Sequence, residues 1–145
     1  MVMELKKIDY ANPAHLDLLT RFLNNAGTAL LSFRYFKKRS FDALKNHAYT
    51  IIMTGGDNPI GYGHLDVEDG VNWLGIAVAE KYQGKGYGKL ILNDLILQAK
   101  KMGFININLS VDKDNHTAIL LYTKYGFSII EDLSENIYLM QLATD

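Results

Sequence analysis

At 145 residues the chain has room for one hydrophobic core and not for two, so a single domain over residues 1–145 is expected. Its 48% hydrophobic and 21% charged content excludes a disordered chain, and a formal net charge of −1 excludes a broadly basic nucleic-acid surface. The absence of cysteine removes disulfides, thiolate metal sites and cysteine nucleophiles, and no apolar run approaches the roughly 18–20 residues needed to span a bilayer. With no signal-peptide core at Met1–Lys7, a cytoplasmic protein with neither membrane nor nucleic acid as partner is expected.

Residues 5–10 read as a first strand. Asn12-Pro13 then supplies a cap and a first-turn proline, and Leu16, Leu19, Phe22 and Leu23 recur at helical spacing up to Asn24-Asn25-Ala26-Gly27. Residues 28–46 lack a clean period. They hold an aromatic and basic cluster, Phe33-Arg34-Tyr35-Phe36-Lys37-Lys38-Arg39, and a short helix after Ser40. Strands follow at 47–53, 60–68 and 71–79, separated by Gly55-Gly56-Asp57-Asn58-Pro59 and by the hairpin signal Asp69-Gly70. A helix from Leu90 runs to about Met102 and stops at Gly103. Residues 104–111 alternate at Ile105, Ile107 and Leu109, a helix over 115–125 stops at Gly126, and 127–130 and 136–142 supply the last strands. The order β-α-α-β-β-β-α-β-α-β-β describes an α/β (α+β) chain with a mixed sheet and helices packed on it.

The most informative stretch is Gln83-Gly84-Lys85-Gly86-Tyr87-Gly88, lying between a buried strand and a helix start. Such a turn gathers unpaired backbone N–H groups into one concavity, which is a receptor for phosphate. A dinucleotide fingerprint would need glycine at position 89, which is Lys89, and a P-loop would need serine or threonine where Leu90 stands. A lone Gly-x-Gly can also serve backbone geometry alone. Gly61-Tyr62-Gly63, inside a strand-like run, reads as a bulge or a close-packing feature.

Gln83, Gly86 and Gly88 match the Gln/Arg-x-x-Gly-x-Gly/Ala motif of the GCN5-related N-acetyltransferase (GNAT) superfamily. The stretch from Asn115 through Ala118 and Tyr122 to Gly126-Phe127 resembles that family's second signature, in the expected order. The resemblance implies a mostly antiparallel sheet of six or seven strands flanked by about four helices, and an enzyme that uses acetyl-CoA. It places the CoA pyrophosphate at Gln83, Gly84, Lys85, Gly86, Tyr87 and Gly88. The pantetheine arm would lie between strands 73–79 and 105–111, against the backbone near Ile76 and Val78 and beside Asn115. It also implies a general acid at Tyr122, next to the CoA sulfur.

Acyl transfer to an amine needs a neutral amine, a polarised carbonyl and a proton for the departing thiolate. Tyr122 lies seven residues beyond Asn115, two helical turns on and on the same face, and a phenol with a pKa near ~10 holds its proton at neutral pH. It can equally be a core aromatic, as Asn115 can simply be a helix cap. For the amine proton, strand alternation puts Tyr62, His64, Asp66 and Glu68 on one face. His64 is the member suited to neutral pH, with Asp66 and Glu68 as carboxylate candidates, although such a row also describes a solvated sheet face and a water chain can replace a dedicated base. His47, His64 and His116 are too widely spaced for a metal set, so no metal is expected. The cluster over 33–39 suits a planar anionic ligand, so a small-molecule amine such as an amino sugar or its nucleotide conjugate is the expected acceptor. The alternatives are a protein or peptide acceptor, at an N-terminus or a lysine, and a non-catalytic acyl-CoA-binding module. Both monomer and homodimer remain open.

Overall fold

The computed structural model describes residues 2–145. Seven strands, β1 (Met3–Lys7), β2 (His47–Gly55), β3 (Asn58–Glu68), β4 (Val71–Val78), β5 (Asn106–Asp112), β6 (Ser128–Ser134) and β7 (Ile137–Ala143), form one sheet in the order β1-β2-β3-β4-β5-β7-β6. Every pairing is antiparallel except that of β4 with β5. The three α-helices are α1 (Pro13–Asn25), α2 (Tyr87–Lys101) and α3 (His116–Lys124), and the short helix expected after Ser40 is a 3-10 turn over Phe41–Asn46. Residues 28–46, which carry no clean period, are a run of such turns, each too short to show one.

Alternation along the central strands builds two cores, one on each face of the sheet. Ile51, Met53 and Leu65 belong to the core with Ile91, Leu92 and Leu95 of α2, whereas Ile52 and Tyr62 belong to the core with Leu19 and Phe22 of α1. Gly61 and Gly63 explain how α2 sits so low on β3. A Cβ at these positions would stand 2.5 Å from Ile91 Cδ1 and 2.7 Å from Ile91 Cγ2 respectively, so both glycines are close-packing residues. The hairpin signal holds in detail: Asp69 and Gly70 have φ of 51° and 78°, the pair of positive angles that a tight two-residue hairpin turn requires.

Candidate active site

β4 and β5 are bridged at a single pair, Trp73 opposite Asn108. Side-chain amides pin that point: Asn72 Nδ2 donates to the Asn106 carbonyl and Asn108 Nδ2 to the Asn72 carbonyl, each at 3.2 Å. Past it the strands diverge, and a cleft of about 1340 Å³ opens beside β4. The Ala79 amide donates to the Ile60 carbonyl of β3 at 2.9 Å. Alternation therefore turns the backbone polar groups of Ile76 and Val78 the other way, into the gap. The Val78 carbonyl is taken by Gln83 Nε2 at 3.0 Å, so the side chain of Gln83 ties the glycine turn to the strand.

Gly84 and Gly86 have φ of +77° and +86°, which disfavours any L side chain, and a Cβ at either would meet nothing within 4 Å. The chain thus keeps an open cradle above the turn. Gly86 is the N-cap of α2, which begins at Tyr87, three residues earlier than the sequence pattern gives, and no side chain caps it. The first amides of the helix are left as donors at its positive end. Gly88 sits inside the first turn, where a Cβ would make only ordinary contacts, 3.8 Å from Val78 Cγ2 and 3.9 Å from Leu121 Cδ2. Lys85 lies out over the Tyr82 ring, 6.0 Å from its centroid. Lys89 lines the cleft. Lys89 breaks both the dinucleotide fingerprint and, with Leu90 after it, the P-loop pattern, yet a lysine in the first helical turn after a glycine cradle is itself a signal for phosphate. Backbone donors, a helix N-terminus, a lysine and unfilled space together fit the pyrophosphate of CoA.

α3 forms the opposite wall. Asn115 Oδ1 accepts from the Ala118 amide at 3.3 Å, so the residue does cap the helix, and both Asn115 and Tyr122 line the cleft. Tyr122 packs against Phe127 with ring centroids 5.7 Å apart. Burial alone pushes its phenol well above the ordinary range.

At the other end of the cleft stands the row on β3. Only its Glu68 end reaches solvent: His64 and Asp66 are 2% and 1% exposed, covered by the segment that carries Phe33 and Tyr35. His64 Nδ1 meets the Tyr62 hydroxyl at 2.5 Å, and its ring lies where a side chain on Gly75, its partner on β4, would stand. Burial, with His47 and Arg39 adding to it, pushes His64 well below the usual imidazole value, so the expectation of a base tuned near neutral pH does not hold for it. Tyr35 donates to Asp66 Oδ2 at 2.8 Å and meets His47 Nε2 at 2.8 Å, while His47 Nδ1 meets Thr50 Oγ1 at 2.7 Å. Glu68 pairs with Arg39 at 3.2 Å, and that guanidinium lies 4.2 Å from the Tyr35 ring centroid. Arg34 forks onto Asp112 at the end of β5, at 2.8 and 3.1 Å. Both arginines of the basic cluster are therefore already matched by carboxylates, which weakens the case for a planar anionic ligand there. Asp112 and Thr50 went unnoticed in the sequence because neither stands in a motif.

The sequence matches the model of the Acetyltransferase (GNAT) family over residues 14–127. It is 34% identical over 104 residues to the [ribosomal protein bS18]-alanine N-acetyltransferase of Haemophilus influenzae, covering 68% of this chain and 70% of the relative. It is also 30% identical over 107 residues to a mycothiol acetyltransferase of Parafrankia sp., covering 73% of this chain but 30% of that protein. Among solved structures, the PaiA N-acetyltransferase of Thermoplasma acidophilum in complex with coenzyme A superposes with a TM-score of 0.77 at 18% identity, over 99% of both chains. The chain belongs to the GNAT acetyltransferase family and is an acetyl-CoA-dependent N-acetyltransferase.

Proposed function

We propose that the chain acetylates the primary amine of a small molecule by direct attack within a ternary complex. The observation that carries this reading is the enclosure of the acceptor end. The segment over residues 33–39 is tied to β5 by Arg34–Asp112 and to β3 by Arg39–Glu68, and it covers His64 and Asp66 at that end of the cleft. A second reading, a protein N-terminal amine, draws support from the likeness to the bS18-alanine N-acetyltransferase.

In this proposal the backbone of Gly84, Gly86, Tyr87 and Gly88, with Lys85 and Lys89, holds the pyrophosphate, while Ile76, Val78 and Asn115 border the arm. Gln83 fixes the turn in place. Bound acetyl-CoA supplies an acyl group already activated as a thioester. Tyr122 keeps its proton at neutral pH because burial opposes the phenolate, and it offers that proton at Oη to the departing sulfur. His64, held neutral, lines the acceptor end without storing charge. Asp66 and Glu68 are the carboxylates of that end, and Glu68 is committed to Arg39.

The test is free-thiol release from acetyl-CoA against amino sugars, amino-sugar nucleotides, polyamines, amino acids and peptides with free N-termini. Release with a small amine, with a product mass gain of about 42 Da for acetyl replacing hydrogen, is the expected outcome. Release with peptides alone would move the acceptor to the second reading, and no release with any amine would reject both.

A further inference from the structure

β1 forms one edge of the sheet, and among the described residues no strand lies on its outer side. Its inner hydrogen bonds fix which groups are free. At its two ends the Ile8 amide donates to the Thr50 carbonyl at 2.8 Å and the Gly56 amide to the Val2 carbonyl at 3.1 Å, with Leu5 opposite Met53 between them. Alternation therefore turns the backbone groups of Glu4 and Lys6 inward to β2, and those of Met3, Leu5 and Lys7 outward. An edge that presents such a row of donors and carbonyls is a template for another chain.

The other edge, β6, is blunted. Its pairing with β7 shifts register between Ile129 and Glu131 and again between Asp132 and Ser134, and its middle residues Glu131 and Asp132 would meet carboxylates on any antiparallel copy laid centre to centre. β1 carries neither device. Its register with β2 is unbroken and it has no proline. Met3 and Leu5 border an apolar groove of about 280 Å³ with Met53 of β2 and Leu90 and Leu97 of α2, and Leu5, Leu90 and Leu97 are exposed. Glu4 and Lys6 share the opposite face, where Lys6 Nζ lies 3.9 Å from Glu4 Oε2 and both side chains reach solvent.

We propose that β1 is the docking strand for a second copy of this chain, paired antiparallel about a two-fold axis at Leu5. In that register Leu5 meets Leu5 of the second copy and Met3 meets its Lys7. These are the residues whose backbone groups point outward, so each pair exchanges both hydrogen bonds. Glu4 then stands directly opposite Lys6 of the second copy, in the non-hydrogen-bonded position where side chains come closest, and the relation repeats across the axis. The two nearest registers that still match the outward groups place the axis at Glu4 or at Lys6. They set two carboxylates or two ammonium groups face to face, so charge selects the register at Leu5. The two sheets become one, and the exposed side of Leu5 is covered by its own copy. The cleft lies on the far side of β2 and β3, so nothing here depends on the transferase reading.

Sedimentation velocity over a concentration series is the test. Wild type should pass from one chain's 16.4 kDa to twice that mass as concentration rises. Glu4→Lys and Lys6→Glu should each stay at the mass of one chain, because each sets like charges opposite one another at both pairs. Mixed in equal amounts, the two variants should regain the doubled mass, since each then supplies the charge that the other lacks. Circular dichroism shows that both remain folded. Amide hydrogen exchange gives a readout on unaltered protein: the amides of Leu5 and Lys7 should slow as the dimer forms, while those of Glu4 and Lys6, already turned to β2, should not. A wild type that sediments as one chain at every concentration overturns the proposal. A doubled mass that persists in both single variants puts the contact elsewhere and overturns it too, and a mixture that stays at one chain's mass rejects the register at Leu5.

Discussion

Replacing Gly88 by alanine and then by glutamine separates what the glycine turn does for the fold from what it does for the cofactor. Gly84 and Gly86 cannot serve, because their positive φ makes any substitution strained whatever the ligand. Gly88 lies inside α2, and its added methyl would sit 3.8 Å from Val78 Cγ2 and 3.9 Å from Leu121 Cδ2, both ordinary contacts. With no clash to offset it, the alanine should stabilise by about 0.5 kcal/mol through helix propensity and a less flexible unfolded chain. For a domain of this size that is a rise in Tm of about 1–2 °C. The motif admits alanine at this position, so the methyl should leave the CoA Kd within about twofold of wild type, whereas the longer side chain of Gly88→Gln on the same cleft wall would hold a pyrophosphate away from the helix amides. Losing one charge-assisted hydrogen bond costs about 1.5–3 kcal/mol, so Gly88→Gln should weaken the CoA Kd by about tenfold or more. Thermal denaturation and titration calorimetry on the same preparation give both numbers. A CoA affinity unchanged in Gly88→Gln would refute the placement of pyrophosphate at this turn, and a large fall in Tm for Gly88→Ala would refute the packing reasoning.

Other consequences are equally direct. Tyr122→Phe should lower turnover by about 10²-fold while the CoA Kd changes by less than about twofold, since only the proton donor is removed; equal turnover across the pH range would reject the acid. His47 has its pKa lowered from 6.5 to about 4 in the fold, chiefly by burial. The unfolded chain therefore binds the extra proton between those values, so this contribution is complete above about pH 6.5 and is lost as pH falls towards 4. Wild type should lose roughly 3 kcal/mol over that window beyond what His47→Gln loses, measured by urea denaturation; identical acid profiles would contradict it. Gly75→Ala would place a Cβ 2.4 Å from His64 Nε2 against a ring held by Tyr62, and should cost about 1–3 kcal/mol by overpacking; unchanged stability would mean that His64 moves freely.

What could be read from the sequence is what is fixed by local geometry. Asp69-Gly70 and Gly84-x-Gly86 demand positive φ, and such demands are written in the residues themselves. The strands over 60–68 and 71–79 were legible because alternation survives burial on both faces. The strand expected over 127–130 extends to Ser134, since all seven of its residues are exposed and only pairing with β7 keeps it extended. The acceptor end was legible only in part. Alternation put Tyr62, His64, Asp66 and Glu68 on one face, but could not show that the face is roofed and buried. That roof depends on Arg34 meeting Asp112 across 78 residues and Arg39 meeting Glu68 across 29, and neither pairing leaves a periodic trace. The same burial removed His64 as a neutral-pH base, a change of character that no spacing rule records.

The central claim is that the glycine turn at the head of α2 holds CoA beside the splayed strands. Titration calorimetry of CoA into wild type and Gly88→Glu tests it most directly, because the glutamate adds bulk and negative charge to the cleft wall beside the open cradle without a strained backbone. The account predicts saturable binding to wild type and none to the variant, with the circular dichroism of the two indistinguishable. Equal binding by a folded variant would place the pyrophosphate elsewhere and contradict it.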